Sequence, residues 1–492
     1  MSVEKRVADD LLFLLTYMAS IATADIDRNE LFKHTSEQNY SLSIYFKRVY
    51  TLAAKWSYAY SKACKFISKK AKFAILKEFF GRMASAMSSG EPEKEFLRNE
   101  MSTMESIYSN NYERSIEALK KWTDGYTALL ISTTLIVMVI LLSTMLYPIG
   151  DIHQTAFVIA LVMVVICGIG VFTIRDAAPS ELRTHSLETG SKEQEMIKLL
   201  CRALLPAGLI VTLGLILLKI HLGYIMIAAA AFVAPIGVMA VIDDGKVTGR
   251  DFNFPAFAKT LGSLAGTMGV NPNIAINHLD RETVGSLEPL VNTLHKSLSL
   301  ELSPSLCWDR FIKDSGSELM NRCARIFNDA INLGGDPAEI GKIVSSSSLA
   351  IVLLRMKRKP VSANFAGLVI LLHAAMSALL IFIIEIIVAF NDALAAMFES
   401  SGLAEGAEGA MSGMTGLAGS FGGTCPAELT FLYQFTVTAI FIMTISNTVA
   451  VMVADGGAKH KIFFYGAIMT AVSGLVILVV PGLVSTMFAI NV

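Results

Sequence analysis

The stretch ALLPAGLIVTLGLILLKIHLGYIMIAAAAFVAPIGVMAVI, Ala203–Ile242, decides the fold class. A helix needs about 20 apolar residues to cross a bilayer core. This stretch supplies two such runs, 203–220 and 223–242, broken by Lys219 and His221 and closed by Asp243-Asp244. Working outward, five more runs qualify: 126–147, 155–174, 364–390, 429–453 and 462–489. Seven spans account for a chain of 492 residues that is 53% hydrophobic and only 17% charged, with mean hydropathy +0.54. Soluble domains carry about 25% charged residues, so a wholly soluble enzyme and a disordered chain are both excluded. The run Leu11–Ala24 is shorter, follows Asp9-Asp10 and ends at Asp25. A signal peptide has basic residues before its apolar run, so this segment reads as a buried helix of a cytoplasmic domain.

Orientation follows from the 41 Lys and Arg residues. Nineteen lie in 1–125, five in 175–202, fourteen in 243–360 and two in 455–461, with Lys219 at a helix end where it can snorkel. Segments 148–154, 391–428 and 488–492 have none. Seven spans alternate sides so that every basic segment falls on one face, which the positive-inside rule makes the cytoplasm. The expectation is a multi-pass protein of the cytoplasmic membrane with its N-terminus inside and its C-terminus outside.

The large cytoplasmic segments, 1–125 and 243–360, show apolar residues at three-four spacing and no hairpin punctuation, so both read as helical bundles. They resemble each other. Phe13-x-x-Thr16 recurs as Phe257-x-x-Thr260, Thr23-x-x-Ile26 as Thr267-x-x-Val270, and Gly90-Glu91-Pro92 as Gly335-Asp336-Pro337, at an offset near 244. The fold class is therefore all-α, polytopic, with two duplicated cytoplasmic bundles. The expected domains are bundle 1–125, four spans in 126–242 with a cytoplasmic linker at 175–202, bundle 243–360, and three spans in 361–492 with a glycine-rich outer loop at 391–428. The Gly-acid-Pro element reads as a tight turn: Gly closes one helix, the acid caps the next and Pro fills its first turn. Asp336-Pro337-Ala338-Glu339 has the form of a capping box.

Catalytic signatures do not emerge. The nearest approach to a phosphate-binding loop, Gly335–Ile343, has Asp336 and Ile343 at positions the motif needs for other residues. The six cysteines form no C-x-x-C pair and the eight histidines no H-E-x-x-H, which argues against a disulfide scaffold or a zinc site. Within the spans stand His373, Glu385 and the polar Asn447. A secondary transporter with cytoplasmic regulatory domains is the alternative reading, and would need several charged groups at midplane depth. A membrane signalling protein would need a catalytic or ligand-binding module.

Residues 38–90 carry ten basic residues against one acid, Glu78. Arg48, Lys55, Lys62 and Lys69 repeat every seven residues, with Lys65 and Lys72 on the same side. Phe46, Val49, Ala53, Trp56, Tyr60, Ala63 and Ile67 form an apolar seam beside them. The pattern predicts one amphipathic helix with a basic stripe. A solvated face is the plain reading, an acidic docking partner comes next and anionic lipid third. Nucleic acid is not favoured, since nothing supplies base readout. Arg355, Lys357, Arg358 and Lys359 precede the fifth span and read as a headgroup anchor or partner contact. The loop 391–428 has eight glycines and a lone Cys425.

Several long strings resemble one family: LLTYMASIATADI (Leu14–Ile26), GEPEKEF (Gly90–Phe96), YERS (Tyr112–Ser115), KKWTDGY (Lys120–Tyr126) and SNTVAVMVADGGAKHK (Ser446–Lys461). The chain resembles, over nearly its full length, the archaellum (archaeal flagellum) assembly-platform proteins of the type II secretion F-domain family. Bacterial relatives have fewer spans, and archaeal adhesive-pilus platforms share much of the pattern. The resemblance implies a protein without catalytic activity or cofactor, binding a hexameric secretion and motor ATPase through its cytoplasmic helical domains. It implies coupling to the insertion of archaellin or pilin-like subunits, contact with other motor-complex proteins, and a homodimer.

Overall fold

The computed structural model describes residues 3–146, 152–187, 189–400 and 426–488. Among these the secondary structure is helical, with one isolated bridge between Thr184 and Ser317 and no strand. The chain opens with α1 (Val3–Ile21), α2 (Arg28–Glu37), α3 (Ser43–Tyr50), α4 (Tyr60–Lys70), α5 (Ala74–Ser89) and α6 (Glu93–Leu146). Next come α7 (Ile152–Ala177), α8 (Lys192–Leu217) and α9 (Leu222–Met268). Beyond them lie α10 (Pro272–Ala275), α11 (Glu288–Ser299), α12 (Pro304–Ser315), α13 (Glu318–Asn332) and α14 (Pro337–Ser400), followed by α15 (Pro426–Asp455) and α16 (Ile462–Phe488).

The 244-residue offset seen in the sequence is also an offset of helix ends. Helices α4, α5 and α6 begin at 60, 74 and 93; α12, α13 and α14 begin at 304, 318 and 337. The left-handed residues that stop helices follow the same rule: Asp25 and Gly269 (φ 51° and 65°), Ser57 and Glu301 (both 56°), Gly90 and Gly334 (78° and 88°). A left-handed residue ends a helix by turning the chain so that the last carbonyls are satisfied, so equal spacing of these stops means equal helix lengths. The capping box is only half formed. Asp336 accepts from the Ala338 N–H, while the Glu339 carboxylate meets Lys94 and Arg98 on α6.

Among the described residues eight helices are long and apolar enough to cross a membrane, and the first of them covers Val7–Ala24. That one is 83% buried inside the structure, against 6–56% for the others. Its Leu11, Leu12, Leu14, Leu15 and Met18 lie in one core with Phe254, Phe257 and Leu261 of α9 and Met320 and Phe327 of α13. Burying each such side chain contributes about 1.5–3 kcal/mol, so α1 is held by protein and seven helices remain for the bilayer. Residues of 1–125 and 243–360 share this core.

Helices α6, α9 and α14 each run as one continuous helix from the helical body into an apolar span, α9 with Pro255 and α14 with Pro360 inside it. The boundaries expected at 125, 242 and 360 therefore fall inside continuous helices. Close packing joins the spans: a Cβ on Gly237 of α9 would stand 2.5 Å from the Phe464 Cα of α16, a backbone approach that only glycine allows. Within 175–202, expected as a linker, Ala178, His185 and Ser191 are buried. Helix α14 continues to Ser400, into the predicted outer loop; Cys425 and most of that loop lie outside the described residues.

Candidate functional site

The basic segment is not one helix. Arg48 lies on α3, a wide π turn over Thr51–Lys55 carries Lys55, and the chain breaks at Trp56–Ala59 with Ser57 left-handed. Lys62, Lys65 and Lys69 belong to α4, and Lys72 to the turn after it. The apolar seam is divided accordingly: Phe46, Val49, Ala63 and Ile67 are buried, but Trp56 is 67% exposed. A π turn adds a residue to the helical turn, so the seven-residue spacing crosses the break without marking it. All six cations are exposed, and none makes an ion pair among the described residues. Arg48 stacks over the Tyr45 ring and Lys70 over Phe66.

The second cluster divides in two. Arg355 and Arg358 are internal, which overturns their assignment as headgroup anchors or partner contacts. Arg355 bridges Glu181 Oε2 and Asp251 Oδ2, each at 2.6 Å. Arg358 donates to the Pro179, Val453 and Ala454 carbonyls at 3.0–3.1 Å and lies 3.6 Å from Glu181. A Cβ on Gly456 would overlap the Arg358 guanidinium, so glycine there makes room for it. The partners are Pro179 and Glu181, Asp251 of α9, and Val453 and Ala454 in the last turn of α15, far away in sequence. Lys357 and Lys359 are exposed: Lys357 pairs with Glu113, and Lys359 lines a cavity of about 730 Å³ with Asp251, Phe252 and Lys461.

Around Arg355 lies a charge node that the residue pattern did not reveal. Arg322 of α13 pairs with Asp9 (2.9 Å) and Asp10 (3.6 Å) of α1 and with Glu318 (2.8 Å), and its guanidinium stacks on Phe13 and Tyr40. Burial would raise the Glu181 carboxyl, but Arg355, Arg358 and Arg183 outweigh it and hold it at about 2. For Asp9 burial wins over Arg322 and pushes the carboxyl up to about 6. Burial likewise raises Asp251 against the pull of Arg355. The Asp9-Asp10 pair ahead of an apolar run was the available signal, since buried carboxylates require cations.

Within the spans His373 of α14 is buried, its Nε2 at 2.8 Å from Ser473 Oγ and its Nδ1 at 3.2 Å from Asn447. Tyr126 of α6 donates to Asn447 Oδ1 at 2.8 Å. Four spans are thus tied by neutral hydrogen bonds, an arrangement worth about 0.6 kcal/mol per bond in bilayers. It does the work of interhelical packing. Among the described residues no group of three or more His, Cys, Asp or Glu residues could hold a metal ion.

No protein-family profile and no solved structure matches the chain. Two curated relatives do. "Flagella accessory protein J" of Methanocaldococcus jannaschii is 27% identical over 390 residues, covering 75% of this chain and 68% of its own. The protein of the same name from Methanococcus voltae is 21% identical over 494 residues, 97% of this chain and 85% of its own. The resemblance carried by the five sequence strings thus agrees with what these two relatives are called, and the chain is similar to flagella accessory proteins J over most of its length.

Proposed function

We propose that this chain is the membrane platform of an archaeal type IV pilus-like machine, of the archaellum type. It docks a cytoplasmic hexameric ATPase and couples the ATPase cycle to insertion of archaellin-like subunits, without catalysis of its own. The observation that carries this reading is the continuity of α6, α9 and α14 from body to bilayer. Helix α6 has no internal proline, so a tilt imposed on the body reaches its span directly, while α9 and α14 pass through Pro255 and Pro360 on the way, positions at which a helix bends. The names of the relatives support an archaellum role.

In this reading 1–125 and 243–360 are two copies of one helical unit on the cytoplasmic side, the C-terminus lies outside, and the platform is a dimer. Arg48, Lys55, Lys62, Lys65, Lys69 and Lys72 belong to the docking face, whereas Arg355 and Arg358 hold the body to the spans. The test is binding of the detergent-solubilised protein to its cognate ATPase, with ATP turnover followed in the same sample. Nucleotide-dependent binding with altered turnover supports the reading. No association at low salt with an active ATPase contradicts it.

A further inference from the structure

The two copies share an unusual exposed corner. In the first, Trp56, Ser57 and Tyr58 follow the π turn; in the second, Leu300, Glu301 and Leu302 follow α11. Each residue of one triplet is 244 positions from its counterpart. Ser57 and Glu301 are both left-handed at φ 56°, a conformation that costs a non-glycine side chain roughly 1 kcal/mol or more. Each is flanked by apolar side chains in solvent: Trp56 is 67% exposed and Tyr58 48%, Leu300 74% and Leu302 51%. The Tyr58 N–H closes on the Leu52 carbonyl at 3.1 Å and the Leu302 N–H on that of Ser297 at 3.3 Å. The closures differ by one residue, six positions back in the first copy and five in the second, yet each corner presents two large apolar groups.

Both corners stand at the membrane-distal end of the body. Tyr60 donates to Asn29, and Arg28 pairs with Glu93 at the start of α6. In the second copy Trp308 donates to Asn273, just past the end of α9. From Glu93 to Asp124, at about 1.5 Å per residue, α6 rises about 48 Å before its span begins. From Pro337 to Lys359, α14 rises about 35 Å. The bilayer holding these spans is thus out of reach. Around the first corner lie the unpaired cations Arg48, Lys55, Lys62, Lys65 and Lys69; around the second, Lys62 is replaced by Leu306, 67% exposed.

We propose that these two corners are paired plugs for one homo-oligomeric cytoplasmic protein, whose identical subunits each offer an apolar pocket, and that the unpaired cations of the first copy meet carboxylates elsewhere on the same partner. Two corners at one spacing match two copies of one pocket, and the unpaired cations call for an acidic surface. Trp and Tyr are enriched among interface anchors. This inference deepens the docking reading and rests on it.

The test uses the full-length protein in nanodiscs and its purified cognate ATPase. Trp56→Ala and Leu302→Ala are each expected to weaken binding about 10-fold, and the double variant more than 100-fold, on the scale of interface anchors. All three should melt as the unsubstituted protein does, because the altered side chains are in solvent. Photo-crosslinkers at positions 58 and 302 should label the same peptide of the ATPase subunit. Unchanged affinity of the double variant, or crosslinks confined to a second copy of this chain, would overturn the plug assignment while leaving docking in place. Failure of the unsubstituted protein to bind would overturn both.

Discussion

Glu113 and Lys357 occupy the same place in the two copies, 244 residues apart, and they pair with each other. The contacts above them keep nearly the same offset: Lys94 with Glu339, and Glu105 with Ser346. Helices α6 and α14 therefore run side by side, parallel and in register, from their distal ends toward the bilayer. A load on one is shared with the other. Helix α1 breaks the equality of the copies, since its Thr16 hydroxyl meets Ser347 of α14 at 3.0 Å, while Thr260, its counterpart, is exposed.

Arg358 is the clamp between body and spans. Arg358→Ala is expected to cost about 1–3 kcal/mol, because it leaves the buried Pro179, Val453 and Ala454 carbonyls without their donor, while Glu181 keeps Arg355. Thermal melting in detergent reads the loss; a neutral Arg358→Ala would remove the clamp.

Asp9 gives stability a pH dependence of unusual sign. Its folded carboxyl is raised to about 6 from an ordinary 3.8, so its favourable contribution is complete below about 4 and is lost as pH rises through 6. Stability relative to Asp9→Asn should therefore grow by up to about 3 kcal/mol between pH 7.5 and 4. Glu181 does not interfere: held at about 2, its contribution is present above pH 4.5 and is lost only below that. Parallel melting curves for the two proteins across this range would exclude the effect.

Gly262 lets α9 meet α14. A Cβ there would stand 2.3 Å from the Pro337 carbonyl oxygen and 2.9 Å from the Gly341 Cα. Both neighbours are backbone, so Gly262→Ala must part the helices, at an expected cost of about 1–3 kcal/mol. Gly367, with nothing near its Cβ position, is the control: Gly367→Ala should not destabilise.

The spans, the seven-fold crossing and the helical repeat were legible because hydropathy and three-four spacing are local properties. The charge node was not. Arg355 meets Glu181 and Asp251 from 174 and 104 residues away, and a cation beside a span looks the same whether it faces lipid or a buried acid. The broken basic helix was missed for a different reason. Residues 56–59 contain no Gly or Pro to announce a break, and Ser57 accepts a left-handed backbone that sequence assigns to glycine.

The basic cluster has its own test. Charge reversal at Lys62 and Lys69, both exposed and away from the buried node, should weaken ATPase binding and flatten its salt dependence, because screened charge pairs are what salt removes. Unchanged affinity would return these residues to the solvated surface.

The central claim is that unbroken helices carry motion from body to bilayer. The most direct measurement inserts four glycines after Lys121 in α6 and, separately, after Met356 in α14, then counts filaments on cells while measuring ATPase binding by the purified proteins. The account predicts that the ATPase still binds and turns over, while filament assembly is lost. Normal filaments on cells carrying either insertion would contradict it.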